Sequence, residues 1–159
     1  MKKTIFITGA AKRIGKEIAL CFSEMGWNII IHYNSSKNDA QVLADEINGN
    51  NPDSAITVQG NLDVKEDVEK VINEVRDAFP TIDLLINNAS TFYPTPIEDI
   101  SEEHWDKLVG SNLKGPLFLI KGLKDKLKES KGSIINITDT NLSKGVANYS
   151  IYSAAKAGL

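Results

Sequence analysis

The chain has 159 residues, 42% of them hydrophobic and 25% charged, a composition that suits one folded domain and argues against disorder. The net charge is −3, and 18 basic and 21 acidic residues form no block of like charges, so no basic nucleic-acid-binding face is expected. The only cysteine, Cys21, excludes an internal disulfide and fits a reducing cytoplasm. The apolar run Ile5–Ile7 is too short to predict a signal peptide or a membrane span.

Short apolar, β-branched runs alternate with stretches of helical periodicity. The predicted strands are 4–8, 27–32, 55–59, 83–87 and 133–138. Strands that are separated by helices pair in parallel through right-handed crossovers. We therefore predict a single domain, 1–159, with a Rossmann-like, doubly wound parallel α/β sheet. Its C-terminal edge is expected to be incomplete, because the fifth strand would be a bare apolar edge.

Three helix signals are specific enough to test. Asp63 with Glu66 three residues later predicts a capping box at the start of the third helix. Ser101 predicts the cap of a long helical stretch that continues to about Lys128. Gly115–Pro116 is expected to bend that stretch, since proline removes a backbone donor inside a helix.

The turn after the first strand predicts a phosphate site. Gly9 and Gly15 allow a tight turn and a close backbone approach, and the following helix presents free N–H groups and a positive dipole end. Arg13 adds a fixed positive charge. Gly9, Arg13, Ile14 and Gly15 are therefore candidate cofactor contacts. The alternative is an ordinary tight turn between strand and helix.

The end of the second strand favours NADPH over NADH. An NAD site usually has a carboxylate here that binds the ribose 2′-hydroxyl, whereas residues 32–37 contain no acid. Hydroxyl, amide and cationic donors suit a 2′-phosphate, which makes His32, Asn34 and Ser35 its candidate ligands. The alternative is a polar loop built from Asx and Ser turns.

Tyr152 and Lys156, four residues apart in the last predicted helix, are a candidate catalytic pair because this spacing places them on one helix face. A free tyrosine has a pKa of about 10. A neighbouring ammonium is expected to lower it, so that Tyr152 acts as a general acid while Lys156 tunes it and holds the ribose.

These motifs resemble the short-chain dehydrogenase/reductase family, most closely its pteridine reductase branch. The family has a Thr-Gly-x-x-x-Gly-x-Gly turn at Thr8–Gly15, and Arg13 replaces the middle glycine as in that branch. The segment Asn88–Phe92 is also similar to the branch. Asp139 lies thirteen residues before Tyr152, where most of the family has a serine that binds the substrate carbonyl and the branch has aspartate.

The resemblance implies strand order 3-2-1-4-5, a homotetramer, and a proton relay from Lys156 through Asn112. It also implies that Asn61 accepts the adenine amino group, in place of the family's aspartate. The further cofactor contacts it implies are Leu62, Asn88, Ala89, Ser90, Tyr152 and Lys156. The substrate contacts it implies are Arg13, Ser90, Phe92, Asp139 and Tyr152.

Three functions follow as hypotheses. The first is a cytoplasmic NADPH-dependent reductase that reduces a pterin or dihydropterin, with Tyr152 as proton donor and Asp139 orienting substrate or water. The second is a general carbonyl or 3-ketoacyl reductase of the same family, and the third an inactive nucleotide-binding module. None of them involves a metal. The family continues beyond Leu159, so the chain is expected to be truncated after the Tyr-x-x-x-Lys motif.

Overall fold

A single five-stranded parallel sheet organises the chain. The structure is a computed structural model that describes residues 2–159. The strands are β1 (Thr4–Ile7), β2 (Asn28–Tyr33), β3 (Ala55–Gln59), β4 (Leu84–Asn87) and β5 (Ser133–Asn136). They pair in the order β3-β2-β1-β4-β5. The predicted strand order and the Rossmann-like fold are both confirmed.

Helices cover both faces of the sheet. They are α1 (Arg13–Glu24), α2 (Lys37–Asn50), α3 (Lys65–Ala78), α4 (Glu102–Val109), α5 (Gly115–Ser130) and α6 (Ser150–Gly158). Helices α1 and α2 pack against strand residues such as Ile5 and Ile29, while α3 and α5 pack on the opposite face around Phe6 and Leu85. This follows from strand geometry, because successive side chains point to opposite faces. Within residues 2–159, no helix combines the length and apolar character that crossing a membrane requires.

The outer strand β5 forms one edge of the sheet. Within the described residues β5 pairs only with β4, and Ile134 and Ile135 are about 40% exposed. The expected apolar edge is thus present.

The predicted capping box at α3 was wrong, although Ser101 caps α4 as predicted by accepting a bond from the His104 N–H. Helix α3 begins at Lys65 without a side-chain cap. The carboxylate of Asp67 instead accepts a bond from the Asn61 N–H, so the chain before α3 is held differently from a capping box.

The long helical stretch is interrupted before its proline. Residues Gly110–Lys114 form a π-helical turn between α4 and α5, and Pro116 lies in the first turn of α5. Proline is tolerated there because first-turn N–H groups have no partner within the helix. The interruption is therefore a π-turn that lies directly before the Gly115–Pro116 pair expected to bend the stretch.

Candidate cofactor and catalytic site

A cleft of about 610 Å³ opens at the carboxyl ends of the parallel strands. This is where ligands bind in open α/β sheets. The predicted site residues that line it are Gly9, Arg13, Ile14, Gly15, His32, Asn34, Asn61, Leu62, Asn88, Ala89, Ser90, Phe92, Asp139, Tyr152 and Lys156. The structure thus brings together all predicted site residues except Ser35 and Asn112, which do not line the cleft.

The turn between β1 and α1 needs both of its glycines. Gly9 has φ +62°, and a Cβ there would lie 3.0 Å from the Cα of Ala89. A Cβ on Gly15 would lie 2.5 Å from the carbonyl oxygen of Gly9. Side chains at these positions would push the turn apart, so the glycines allow α1 to start directly against the turn.

The start of α1 suits a dinucleotide diphosphate. Its N-cap, Lys12, makes no side-chain capping bond, and the first turn contains no acid. The free N–H groups and the positive end of the helix dipole can therefore bind an anion that approaches through the cleft. With its tight glycine turn and its extent from Asn34 to Lys156, the cleft fits a nicotinamide dinucleotide.

Arg13 occupies a strained glycine position. Its φ is +54°, in the left-handed region that non-glycine residues rarely adopt. Its exposed side chain lines the cleft. A charged residue is thus present at a backbone position that favours glycine, which indicates that the charge serves binding.

Replacing Arg13 with glycine is expected to raise stability and weaken binding. Relief of the left-handed strain should add about 1 kcal/mol to the free energy of unfolding. Loss of the guanidinium should raise the Kd for a phosphate-bearing dinucleotide several-fold. Denaturant unfolding and fluorescence titration measure the two effects, with Arg13→Ala as the control that removes the charge but not the strain. Equal stability of the two variants would contradict the strain argument.

Both ring nitrogens of His32 make hydrogen bonds with backbone groups. Its Nδ1 accepts a bond from the Gly9 N–H at 3.1 Å, and its Nε2 lies 3.0 Å from the carbonyl oxygen of Gly60. Burial lowers the His32 pKa to about 4, against a smaller opposite effect of the bond to Gly60. The ring is therefore neutral at pH 7 and has no free nitrogen for the 2′-phosphate expected from the sequence.

The loop after β2 leaves Asn34 and Ser35 exposed. Next to it lies an ion pair that the sequence reasoning missed, in which Lys12 Nζ is 3.0 Å from a carboxylate oxygen of Asp39 in the first turn of α2. Lys12 also lines the cleft. Helical spacing could have placed Asp39 at the start of α2, but the contact with Lys12 depends on how α1 and α2 pack together.

A hydrogen bond within the segment after β3 holds its conformation. The side-chain oxygen of Asn61 accepts a bond from the Asp63 N–H at 3.1 Å. A carbonyl oxygen has two lone pairs, so the expected bond to an adenine amino group remains compatible with this arrangement and stays a prediction. Leu62 is buried and forms part of the wall beside it.

Asn88 joins the turn to the end of β4. Its side-chain nitrogen donates to the carbonyl oxygens of Thr8 and Gly9 at 2.8 and 3.1 Å. The Thr8 hydroxyl in turn accepts from the N–H groups of Asn88 and Ala89, both at 2.9 Å. This network fixes the floor of the cleft.

Tyr152 and Asp139 meet at the end of the cleft where the candidate catalytic residues lie. The Tyr152 hydroxyl donates to Asp139 Oδ2 at 2.9 Å. The other oxygen, Oδ1, accepts from the backbone and side-chain nitrogens of Asn141 at 2.8 and 3.1 Å. The pKa of Asp139 is lowered, first by the Asn141 N–H and then by the Tyr152 hydroxyl. Asp139 is therefore an oriented carboxylate that accepts directly from the Tyr152 hydroxyl.

The expected effect of Lys156 on Tyr152 was wrong. Burial raises the pKa of Tyr152 to about 12, the bond and charge of Asp139 add to the rise, and the Ser90 hydroxyl acts in the opposite direction. Lys156 instead donates to the carbonyl oxygen of Ile137 at 2.8 Å. Burial lowers its own pKa. The nearest strong influence on Tyr152 is thus a carboxylate, and its phenol keeps its proton at pH 7.

Asn112 lies behind the cleft rather than beside Lys156. Its side-chain nitrogen donates to the carbonyl oxygens of Thr91 and Leu108 at 2.8 and 2.9 Å. Its oxygen accepts from the Ser90 hydroxyl at 2.8 Å. Within residues 2–159 no hydrogen bond joins Asn112 to Lys156, so the relay remains a prediction that requires bridging water.

Phe92 stands at the mouth of the cleft. Its ring stacks on Tyr149 with centroids 4.4 Å apart and meets the edge of Tyr152 at 4.8 Å. It is nevertheless 55% exposed. The ring is therefore packed on one side and exposed on another, and the substrate contact that the resemblance implies for Phe92 stays a prediction.

Comparison with known proteins agrees with this geometry at the family level. A family sequence model described as short chain dehydrogenase matches residues 3–159. The 3-oxoacyl-(acyl-carrier-protein) reductase FabG of Staphylococcus epidermidis is 32% identical over 160 residues, which cover 100% of this chain and 65% of that protein. The corresponding FabG of Staphylococcus aureus strain Mu50 is 33% identical with the same coverage.

A further relative is the NAD-dependent glycerol dehydrogenase of Listeria innocua, 32% identical over 99% of this chain and 60% of that protein. The chain thus spans about 65% of the length of the FabG relatives. The names of these relatives agree better with the second hypothesis, ketoacyl reduction, than with pterin reduction. The names of these relatives also indicate different substrates, although their sequence identities to this chain are similar.

Proposed function

The chain belongs to the short-chain dehydrogenase family, and on that premise we propose that the full-length protein is an NADPH-dependent reductase with Tyr152 as proton donor. The observation that carries the proposal is the single cleft that joins the phosphate turn at Gly9–Gly15 to Tyr152 and Lys156. A dinucleotide bound along this cleft would have its phosphates at the start of α1 and its reactive ring near Tyr152.

The chain's own residues have distinct tasks in this reaction. A bound nicotinamide dinucleotide would supply the hydride to the substrate carbon. Tyr152 holds the proton at its hydroxyl, ready for the substrate atom that gains the electron pair. Lys156, only 3% exposed, donates to the Ile137 carbonyl oxygen and would hold the ribose of a bound dinucleotide. The Ser90 hydroxyl lines the same cleft and donates its one hydrogen to the Asn112 side-chain oxygen.

The preference for NADPH rests on the charges around the loop after β2. Residues 32–37 provide no carboxylate, and the next acid along the chain, Asp39, is paired with Lys12. Exposed Asn34 and Ser35 can donate to a 2′-phosphate, while the Lys12–Asp39 ion pair carries no net charge. A 2′-phosphate therefore has donors and no unpaired negative charge next to it.

A carboxylate at position 35 should reverse this preference. Ser35→Asp is expected to raise the KM for NADPH at least tenfold and to lower that for NADH, because an added negative charge repels the phosphate and can accept the ribose hydroxyl. Steady-state kinetics with both dinucleotides measure the ratio. Ser35→Asn is the neutral control of similar size, and an unchanged ratio in Ser35→Asp would place the phosphate elsewhere.

Two substrate classes remain as proposals. The names of the FabG relatives support a 3-oxoacyl thioester. The feature that opposes it is Asp139, whose carboxylate lies where a substrate oxygen would develop negative charge, 2.9 Å from the Tyr152 hydroxyl. Like charges in a partly buried site repel strongly.

Asp139 supports the second class, a pterin or dihydropterin. A ring that carries N–H donors can bind a carboxylate directly, and a flat ring can stack on the open side of Phe92. The geometry beside Tyr152 thus favours reduction of a carbon–nitrogen double bond, whereas the comparisons favour reduction of a ketone.

Loss of NADPH absorbance with dihydrobiopterin and with a 3-oxoacyl thioester, measured in parallel on the full-length protein, separates the two classes. If the ring is the substrate, Asp139→Ala should lower kcat/KM for the pterin at least a hundredfold. If the thioester is the substrate, Asp139→Ser should turn it over at least as fast as the wild type does. Turnover of neither compound would count against both substrate proposals.

A further inference from the structure

His32 lies at a junction of three strand ends. It is the penultimate residue of β2, and β2 lies between β1 and β3 in the sheet. Its ring is 2% exposed. One ring nitrogen reaches Gly9, just after β1, and the other reaches Gly60, just after β3. One side chain thus connects the starts of two loops that both line the cleft.

The partners determine which ring nitrogen carries the proton. The Gly9 N–H is a donor, so Nδ1 must be unprotonated. The Gly60 carbonyl oxygen is an acceptor, so Nε2 must carry the hydrogen. Burial lowers the pKa of His32 to about 4, which agrees with the neutral ring. Protonation of Nδ1 would place two donors against each other.

Main-chain bonds strengthen the same junction. The Ala10 N–H donates to the His32 carbonyl oxygen at 2.8 Å, and the Gly60 N–H donates to the Tyr33 carbonyl oxygen at 3.1 Å. Gly9 is held in its left-handed conformation between these contacts. Its N–H group is already used, which leaves the free donors at the start of α1 to bind the phosphates.

We propose that His32 is a positioning residue for the dinucleotide, whose ring fixes the phosphate turn at Gly9 relative to the base-binding segment Gly60–Leu62. This inference rests on the proposed function, since it assigns the role to cofactor binding. Tyr152, Asp139 and Lys156 make their contacts at the other end of the cleft, so His32 should affect binding of the adenosine half and not the chemical step.

Three substitutions separate the two bonds. His32→Asn keeps an acceptor near the Nδ1 position, His32→Gln reaches the Nε2 position with a donor, and His32→Leu removes both. We expect His32→Leu to raise the Kd for NADPH about tenfold, the effect of losing about one or two hydrogen bonds. Its kcat at saturating cofactor should stay within twofold of wild type. The Kd values of His32→Asn and His32→Gln should lie between those of wild type and His32→Leu.

Amide hydrogen exchange of Gly9, measured by NMR on the full-length protein without cofactor, gives a readout independent of activity. The Gly9 amide should exchange faster in His32→Leu and His32→Gln but remain protected in His32→Asn. Val75→Ala is the matched control, because Val75 is fully buried in α3 and does not line the cleft. It should lower stability without changing the Kd.

An unchanged Kd in His32→Leu, or a fall in kcat as large as the rise in Kd, would overturn the proposal. So would Gly9 exchange that is equally fast in His32→Asn and His32→Leu. If His32→Leu does not fold, the proposal is tested by comparing Gly9 amide exchange in His32→Asn with that in His32→Gln. A wild-type protein that binds no dinucleotide would overturn the proposed function, while Gly9 exchange would still report on the bridge itself.

Discussion

Replacing Tyr152 with phenylalanine should lower kcat by about 10²- to 10⁴-fold, the range expected for loss of a general acid. The phenylalanine ring can occupy the same buried position, so packing against Phe92 and Ile151 is kept. Only the hydroxyl that donates to Asp139 is removed. The Kd for NADPH should therefore change little, and the loss should be confined to the chemical step.

Steady-state kinetics and fluorescence titration of the full-length protein measure these two quantities. Tyr149→Phe is the matched control, because Tyr149 stacks on Phe92 close to the site and loses the same atom. Its kcat should stay within a few-fold of wild type. Retention of more than a tenth of the activity in Tyr152→Phe would mean that another group donates the proton.

The fold could be predicted from sequence because its signals are local. The central strands are short runs such as Ile29–Ile31, buried on both faces, and such runs separated by helices permit few topologies. The errors occurred where a local pattern competes with tertiary contacts. Asp63 is an example, since the bond from Asn61 to Asp67 replaces the predicted cap.

The identity of the site residues was also accessible, since motifs place them at the carboxyl ends of strands. Their partners were not, because these depend on packing between distant segments. Helical spacing brings Lys156 and Tyr152 to one face, but it does not show that Lys156 donates to Ile137 or that Asp139 bonds the Tyr152 hydroxyl. The direction of the Tyr152 pKa shift therefore could not be obtained from spacing.

The dependence on packing between distant segments also explains why the role of His32 could not be predicted. A histidine at the end of β2 is compatible with a phosphate ligand or with a buried structural ring, and the sequence alone does not distinguish them. The decision comes from Gly9 and Gly60, which lie 23 and 28 residues away. Because the structure buries the ring between them, His32 acquires a consequence that sequence analysis did not suggest, which is acid-sensitive stability.

The free energy of unfolding should fall by about 3 kcal/mol through His32 alone as the pH drops from 7 to 4, since each unit of pKa difference corresponds to about 1.4 kcal/mol. The folded pKa of about 4 lies below the ordinary value of 6.5. Between these values the unfolded chain binds the proton and the folded chain does not, so acid favours unfolding. Above pH 6.5 the full contribution is present, and below pH 4 the loss from this group levels off.

Denaturant unfolding of wild type and His32→Gln at pH 7, 5.5 and 4.5 tests this directly. The stability difference between the two proteins should shrink steadily as the pH falls, because the variant has no buried ring to protonate while all carboxylates titrate in both. His104→Gln, at the chain's only other histidine, corrects for the loss of a histidine as such. A difference between wild type and His32→Gln that stays constant with pH would show that His32 is not held neutral by its burial between Gly9 and Gly60.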